Sequence, residues 1–223
     1  MSSQVTQSKV KAFAVNNTML FFAVILFAAC MIGVPRFATG GNLMNILIQV
    51  SINALIACGM TFVILSDGID LSVGSVAAIA GVAGASLIKQ MPDAGIAACI
   101  AVILVTAVVV GTICGSINGF CIAKLNVPPF IATLAMMNAA RGLAYVFTDA
   151  KPVFGLPDSF GWVGLRSIGV IPVSIVLMVI VIGLSYLVLS KTCFGRYIYA
   201  VGSNKEVAKL TGINVTMTRF SVY

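Results

Sequence analysis

The sequence contains no histidine and little charge: 9% of its 223 residues are Asp, Glu, Lys or Arg, against 60% apolar residues. The missing histidine removes the commonest metal ligand and general base. The six cysteines, at positions 30, 58, 99, 114, 121 and 193, form no CxxC pair. Metal ligation by the usual Cys/His sets is therefore not expected, and neither is a bound cofactor. No GxxxxGK[ST] run occurs, so the chain has no phosphate-binding loop of that type. The scarcity of charge, with a mean hydropathy of +1.12, excludes a soluble domain of this length. The net charge of +7 is no nucleic-acid footprint, because the basic residues are scattered over short loops rather than gathered in one patch. What remains is an all-α, polytopic helical membrane protein.

The uncharged runs set the spans. They are 12–35, 37–66, 71–88, 94–123, 125–140 and 167–190. A membrane helix needs about 20 apolar residues, and these runs predict six spans, near 18–34, 43–65, 71–88, 95–119, 128–147 and 168–189. The third, rich in Gly and Ala, also suits a half-helix or a re-entrant element. The first resembles a signal peptide, but its length and the similar spans after it favour a retained helix. With a cytoplasmic N-terminus, eight Lys and Arg fall inside and five outside, the sense of the positive-inside rule. The expected organisation is a cytoplasmic tail over 1–17, a membrane core over 18–189, and a cytoplasmic segment leading into a further span over 190–223.

Two acids break this pattern. Residues 68–75 read GIDLSVGS, and Asp67 and Asp70 are the only charges between Arg36 and Lys89. An Asp at the bilayer centre costs roughly 2.5–3.5 kcal/mol on insertion scales, so such a residue faces a protein or water interior and has a function. With Gly68 and Gly74 on either side, the motif predicts a broken transmembrane segment whose irregular backbone lines a cavity. Asp70 is expected to cap a helix starting at Leu71 by accepting from the N–H of Ser72 or Val73.

Small residues recur at four-residue spacing in the fourth span, at Gly111, Gly115 and Gly119. A similar stripe, Gly74, Ala78, Gly81 and Ala85, runs along the third. Such stripes let helices approach closely. Asn118 and Asn138 also lie in apolar runs, where hydrogen bonding between helices is the plainer role. Residues 148–167 are punctuated by Pro, Gly, Asp and Ser and read as a loop, with Phe160 and Trp162 suited to a membrane interface. Beyond it, Ser203 and Glu206 form a capping box, with Asn204 as a competing cap. A short helix over 205–211 would follow, stopped by Gly212, with Val207 and Leu210 on one side and Lys205 and Lys209 on another.

Three segments together resemble a known family. They are NLMNILIQVSINALIACGMTFVILSDGIDLSVGS before Val76, PFIATLAMMNAARG from Pro129, and GRYIYAVGSNKEVAKLTGI from Gly195. All three are similar to the permease subunits of bacterial ABC sugar importers, in the branch of the ribose, arabinose, xylose and galactose systems and closest to the ribose type. The resemblance implies a non-enzymatic permease in the inner membrane. Its partners would be a second permease subunit, identical or a close paralogue, a cytoplasmic ATPase and a periplasmic sugar-binding protein. It places Gly202, Asn204, Glu206, Val207, Ala208, Leu210 and Gly212 in the region that engages the ATPase. Asp70, Ser72, Asn53, Asn118 and Asn138 are the residues expected along the substrate pathway. Helices after Tyr223 are also implied, so residues 1–223 alone are not expected to carry sugar. Two other classes suit the residues: an ion-coupled secondary transporter, and a membrane-embedded enzyme using Asp67 and Asp70 as paired carboxylates. The enzyme reading lacks a nucleophile–base pair.

Overall fold

The computed structural model of the chain describes residues 17–165, 167–168 and 171–223, with side chains outside 162–171. The expectations that rest on the tail before Asn17 and on the Trp162 side chain lie outside the described residues. The chain divides into two compact units, Met1–Gln49 and Val50–Tyr223.

In the described part of the first unit, α1 (Thr18–Gly33) ends where Val34 turns extended ahead of Pro35, as the residue before a proline prefers. The Phe27 and Phe37 rings then meet edge to face at 5.3 Å. Asn42 Nδ2 donates to the Phe37 carbonyl at 2.8 Å, which fixes the start of α2 (Gly40–Leu65).

The second unit holds the rest of α2, followed by α3 (Val73–Lys89), α4 (Ile96–Ala123) and α5 (Pro129–Thr148). Helices α6 (Asp158–Leu165) and α7 (Val173–Lys191) flank a two-residue antiparallel ladder of β1 (Ser167–Ile168) with β2 (Ile171–Pro172). Three short helices close the unit: α8 (Cys193–Ser203), α9 (Lys205–Leu210) and α10 (Val215–Ser221). The chain is a polytopic helical membrane protein. Helices α2, α4, α5 and α7 are long and apolar enough to cross a membrane, while α1 and α3 are shorter apolar helices of 16 and 17 residues. At 1.5 Å per residue those two reach about 24–26 Å, short of a hydrocarbon core about 30 Å thick.

Helix α3 is the hub, packing on both α4 and α5. Ile79, Ala140 and Ala144 form a buried cluster, extended by Val76, Val82 and Val110. Helices α3 and α4 approach closely at Gly84, where an added Cβ would lie 2.9 Å from Thr106 Oγ1. The buried face of α3 runs through Ser75, Ile79, Gly84 and Ile88, whereas Gly74, Ala78 and Gly81 are exposed. Helix α10 lies across α4 at two of the expected glycines. A Cβ on Gly119 would sit 2.8 Å from the Phe220 carbonyl oxygen, and one on Gly115 would strike the Tyr223 carbonyl; Gly111 has open space.

The stretch expected to be a loop holds α6. Its first turn is secured from outside: Ser159 Oγ donates to the Ala94 carbonyl and contacts Cys99 Sγ at the start of α4. A tertiary anchor thus sustains a helix where local composition signals turns. Helix α7 has no buried residue, so its apolar surface is available to lipid or to other helices.

Gly119→Ala is expected to force α10 away from α4 and cost about 1–3 kcal/mol, the usual range for overpacking. Gly111→Ala, about two turns away in open space, is expected to be neutral. Thermal unfolding of the two variants in the same detergent checks the contrast.

Candidate functional site

The site is the interruption between α2 and α3. Helix α2 ends in a tight reversal: Ser66 and Gly68 N–H both donate to the Val63 carbonyl, at 3.1 and 3.0 Å, and Asp67 N–H donates to Ile64 at 3.1 Å. Asp67 carries the left-handed conformation, φ +61°, which Asp tolerates better than most side chains. Gly68 is small for a different reason, since a Cβ there would press on Val63 and the Tyr223 hydroxyl.

Beyond the reversal, Asp70 Oδ1 accepts two hydrogen bonds from Ser72, one from its N–H at 2.7 Å and one from its hydroxyl at 2.6 Å. Ser72 Oγ in turn accepts from Asn118 Nδ2 at 3.0 Å. Ser72 and Asn118 are 1% and 2% exposed, so this is a buried and mutually satisfied polar chain between α3 and α4. Asp70 thus binds Ser72 as expected, but the helix starts at Val73 rather than Leu71, because the Asp70–Ser72 turn occupies the intervening residues. A cavity of about 290 Å³ opens beside the chain, lined by Asp70, Ser72, Asn118, Gly111, Gly115 and Tyr223 among others. That is close to the lower end of small-ligand pockets, about 300 Å³.

The other side of the break meets the segment after α7. Gly202, near the end of α8, lies against the Leu65 carbonyl, with no room for a Cβ. Lys205 Nζ pairs with Asp67 Oδ2 at 2.8 Å. The turn that carries no base of its own therefore draws one from α9, 138 residues further on. Helix α9 is capped by Asn204, whose Oδ1 accepts from the N–H groups of Glu206 and Val207, both at 3.0 Å. The capping box expected of Ser203 and Glu206 is not formed, because Ser203 is still the last residue of α8. Gly212, φ +83°, ends the segment as expected. Its N–H reaches the Lys209 carbonyl, and the Ile213 N–H reaches Ala208, both at 3.1 Å. Ala208 is buried, while Val207 and Leu210 are 55% and 87% exposed.

The structure thus brings together Asp70, Ser72, Asn118, Gly111 and Gly115 around one cavity, with Gly68 behind its Tyr223 wall. Asn53 and Asn138 are not part of it. Both are exposed, and Asn138 Nδ2 bonds to the Leu134 carbonyl of its own helix. Sequence reasoning missed Lys205 as the partner of Asp67 and Tyr223 as a lining residue. The signal for Lys205 was present, in an uncompensated acid at a turn and an unassigned base in the distal segment.

Residues 42–223 match the family described as "Branched-chain amino acid transport system / permease component". The chain is 38% identical over 228 residues to the "Ribose import permease protein RbsC" of Haemophilus influenzae, covering 100% of this chain and 68% of that protein. It is 41% identical over 218 residues to the protein of the same name from Escherichia coli, covering 96% and 66%. It is 39% identical over 213 residues to the E. coli "L-arabinose transport system permease protein AraH", covering 92% and 61%. The chain therefore spans about two thirds of the length of the curated relatives it matches. No solved structure matches it.

Ser72→Ala removes the acceptor of Asn118 and one donor to Asp70, leaving a buried amide unpaired. The expected cost is about 1–3 kcal/mol. Thermal unfolding in nanodiscs checks it, and Ser72→Thr, which keeps the hydroxyl, is expected to lose less.

Proposed function

This chain belongs to the permease-component family that its residues 42–223 match, and on that premise we propose that it is the membrane-spanning permease subunit of an ATP-driven, binding-protein-dependent importer of a ribose-like monosaccharide. The relatives' names refer to import of ribose and to transport of L-arabinose, which favours a sugar importer over ion-coupled transport or a carboxylate enzyme. One observation carries the reading: a single helix break holds both the segment assigned to the ATPase and a largely apolar cavity onto which Asp70, Ser72 and Asn118 open. Sugar hydroxyls donate and accept at once. The Asp70 carboxylate, the Ser72 hydroxyl and the Asn118 amide suit such a group, and both intramolecular bonds to Asp70 use Oδ1, leaving Oδ2 for a passing hydroxyl.

The division of labour follows. The sugar, delivered by an external binding protein, passes beside α3 and α4. The exposed Val207 and Leu210 of α9 supply the apolar anchors by which a short helix seats in a groove, here on a separate ATPase. Movement of α9 reaches the cavity through Lys205–Asp67 and the Gly202–Leu65 contact. A second permease subunit, a copy of this chain or a close paralogue, completes the path against exposed helix faces. The break, the end of α4 and α9 share one end of the unit, and the excess of basic residues there supports a cytoplasmic location for that end of an inner-membrane protein, in the reading that has the N-terminus inside as well.

The test is uptake of labelled ribose, arabinose and galactose into vesicles carrying the permease, the ATPase and the binding protein. Asp70→Ala is expected to lower uptake roughly 10- to 100-fold, the scale of a lost hydrogen bond to a charged group, and Asp70→Asn to lower it less. Full uptake by a normally expressed Asp70→Ala protein would exclude Asp70 from the pathway, and uptake without ATP would favour secondary transport. Replacing both Val207 and Leu210 by Asp is expected to abolish copurification with the ATPase while leaving membrane insertion intact.

A further inference from the structure

Two cavities meet where α4 ends, one of them lined by Lys205, Glu206 and Lys209 of α9 and neither by Val207 or Leu210. One, of about 350 Å³, is lined by Lys205, Lys209, Arg219, Asn126, Asn214 and Thr216, with Glu206 as its one acid. Lys205 is held by Asp67, whereas Lys209 and Arg219 have no ion-pair partner among the described residues. The other, of about 470 Å³, shares Ala123, Asn214 and Thr216 with the first and continues over Phe120, Met217 and Phe220, with Lys124 at its edge. A basic recess thus opens directly onto an apolar one.

We propose that this pair of cavities binds one anionic phospholipid, its phosphodiester headgroup between Lys209 and Arg219 and an acyl chain along Phe120, Met217 and Phe220. Two observations and one general precedent select a lipid over an acidic protein segment. The recess lies at the end of α4, a span of 28 residues, and the end of a span is where headgroups sit. Basic pockets between membrane helices on the cytoplasmic side are a recurrent form of headgroup site. The adjoining apolar cavity matches a molecule with a charged head and a hydrocarbon tail, which an acidic peptide lacks. Neither Val207 nor Leu210 lines either cavity, so the lipid face and the apolar face of α9 are separate surfaces. This inference rests on the cytoplasmic placement of this end proposed above but not on the transported substrate, because it concerns binding alone.

Native mass spectrometry of the purified protein, titrated with dioleoyl phosphatidylglycerol or dioleoyl phosphatidylcholine, tests it. The anionic phosphatidylglycerol is expected to bind at least tenfold more tightly than the zwitterionic phosphatidylcholine. K209Q/R219Q is expected to weaken it about 30-fold, at about one charge contact each. K209R/R219K and the distant K151Q are expected to retain it. Soluble glycerol phosphate at the same concentration is expected not to displace the lipid. Equal binding of the two lipids, or displacement by glycerol phosphate, would overturn the proposal. So would unchanged binding in K209Q/R219Q, or a loss in K209R/R219K equal to that in K209Q/R219Q. Loss of ATPase copurification in K209Q/R219Q with lipid binding intact would instead assign this face to an acidic protein partner.

Discussion

An α-helix cannot stop inside a membrane protein without finding partners for the backbone groups it releases, and the segment from Ser66 to Ser72 stops one. Local carbonyl reversal, the left-handed Asp67, and the Asp70 carboxylate bonded to Ser72 meet part of that requirement, at the N–H groups of Ser66, Asp67, Gly68 and Ser72. Each device also points outward. Asp67 holds Lys205, and Ser72 holds Asn118. The break is therefore the joint through which α2, α3, α4 and α9 are tied, and without it the cavity beside Asp70 and the distal segment would have no common support.

The two acids do different work because they stand in different surroundings. The Asp67 side chain is 68% exposed, and its ion pair belongs to the class that contributes about 0–1 kcal/mol to stability. Its value lies in registering α9 against the break. Asp70 is half-buried, and its partners are nearly inaccessible, so the Asp70–Ser72–Asn118 chain is where loss of one member leaves another unpaired. Between helices in lipid, where the hydrophobic effect does not drive association, close packing and such bonds supply the specificity. The contacts of Gly84 with Thr106 and of Gly119 with Phe220 are of the packing kind.

Much of this was legible in the sequence. Long uncharged runs located the membrane helices, because a bilayer imposes length and composition directly. The break was readable because Asp67 and Asp70 interrupt a long stretch otherwise free of charge, and the stop at Gly212 because a positive φ favours glycine. What escaped were the choices made by tertiary contact. The small-residue stripe on α3 suggested a packing face one step round from the buried one, since Gly and Ala periodicity does not say which neighbour arrives. Helix α6 was hidden among turn-forming residues and depends on Ser159 reaching Ala94. Asn204 displaced Ser203 as the cap because α8 runs one residue further than the motif implied. The Asp67–Lys205 pair spans 138 positions, a separation that no local pattern encodes.

The central claim is that the break transmits between α9 and the cavity through Asp67 and Lys205. Charge exchange measures this most directly, with ATPase activity stimulated by the sugar-loaded binding protein as the readout. Asp67→Lys alone should depress the stimulated rate, since it sets two cations against each other, and Asp67→Lys with Lys205→Asp should restore most of it. Full stimulation in the single variant, or a double variant no better than the single, would contradict transmission through this pair.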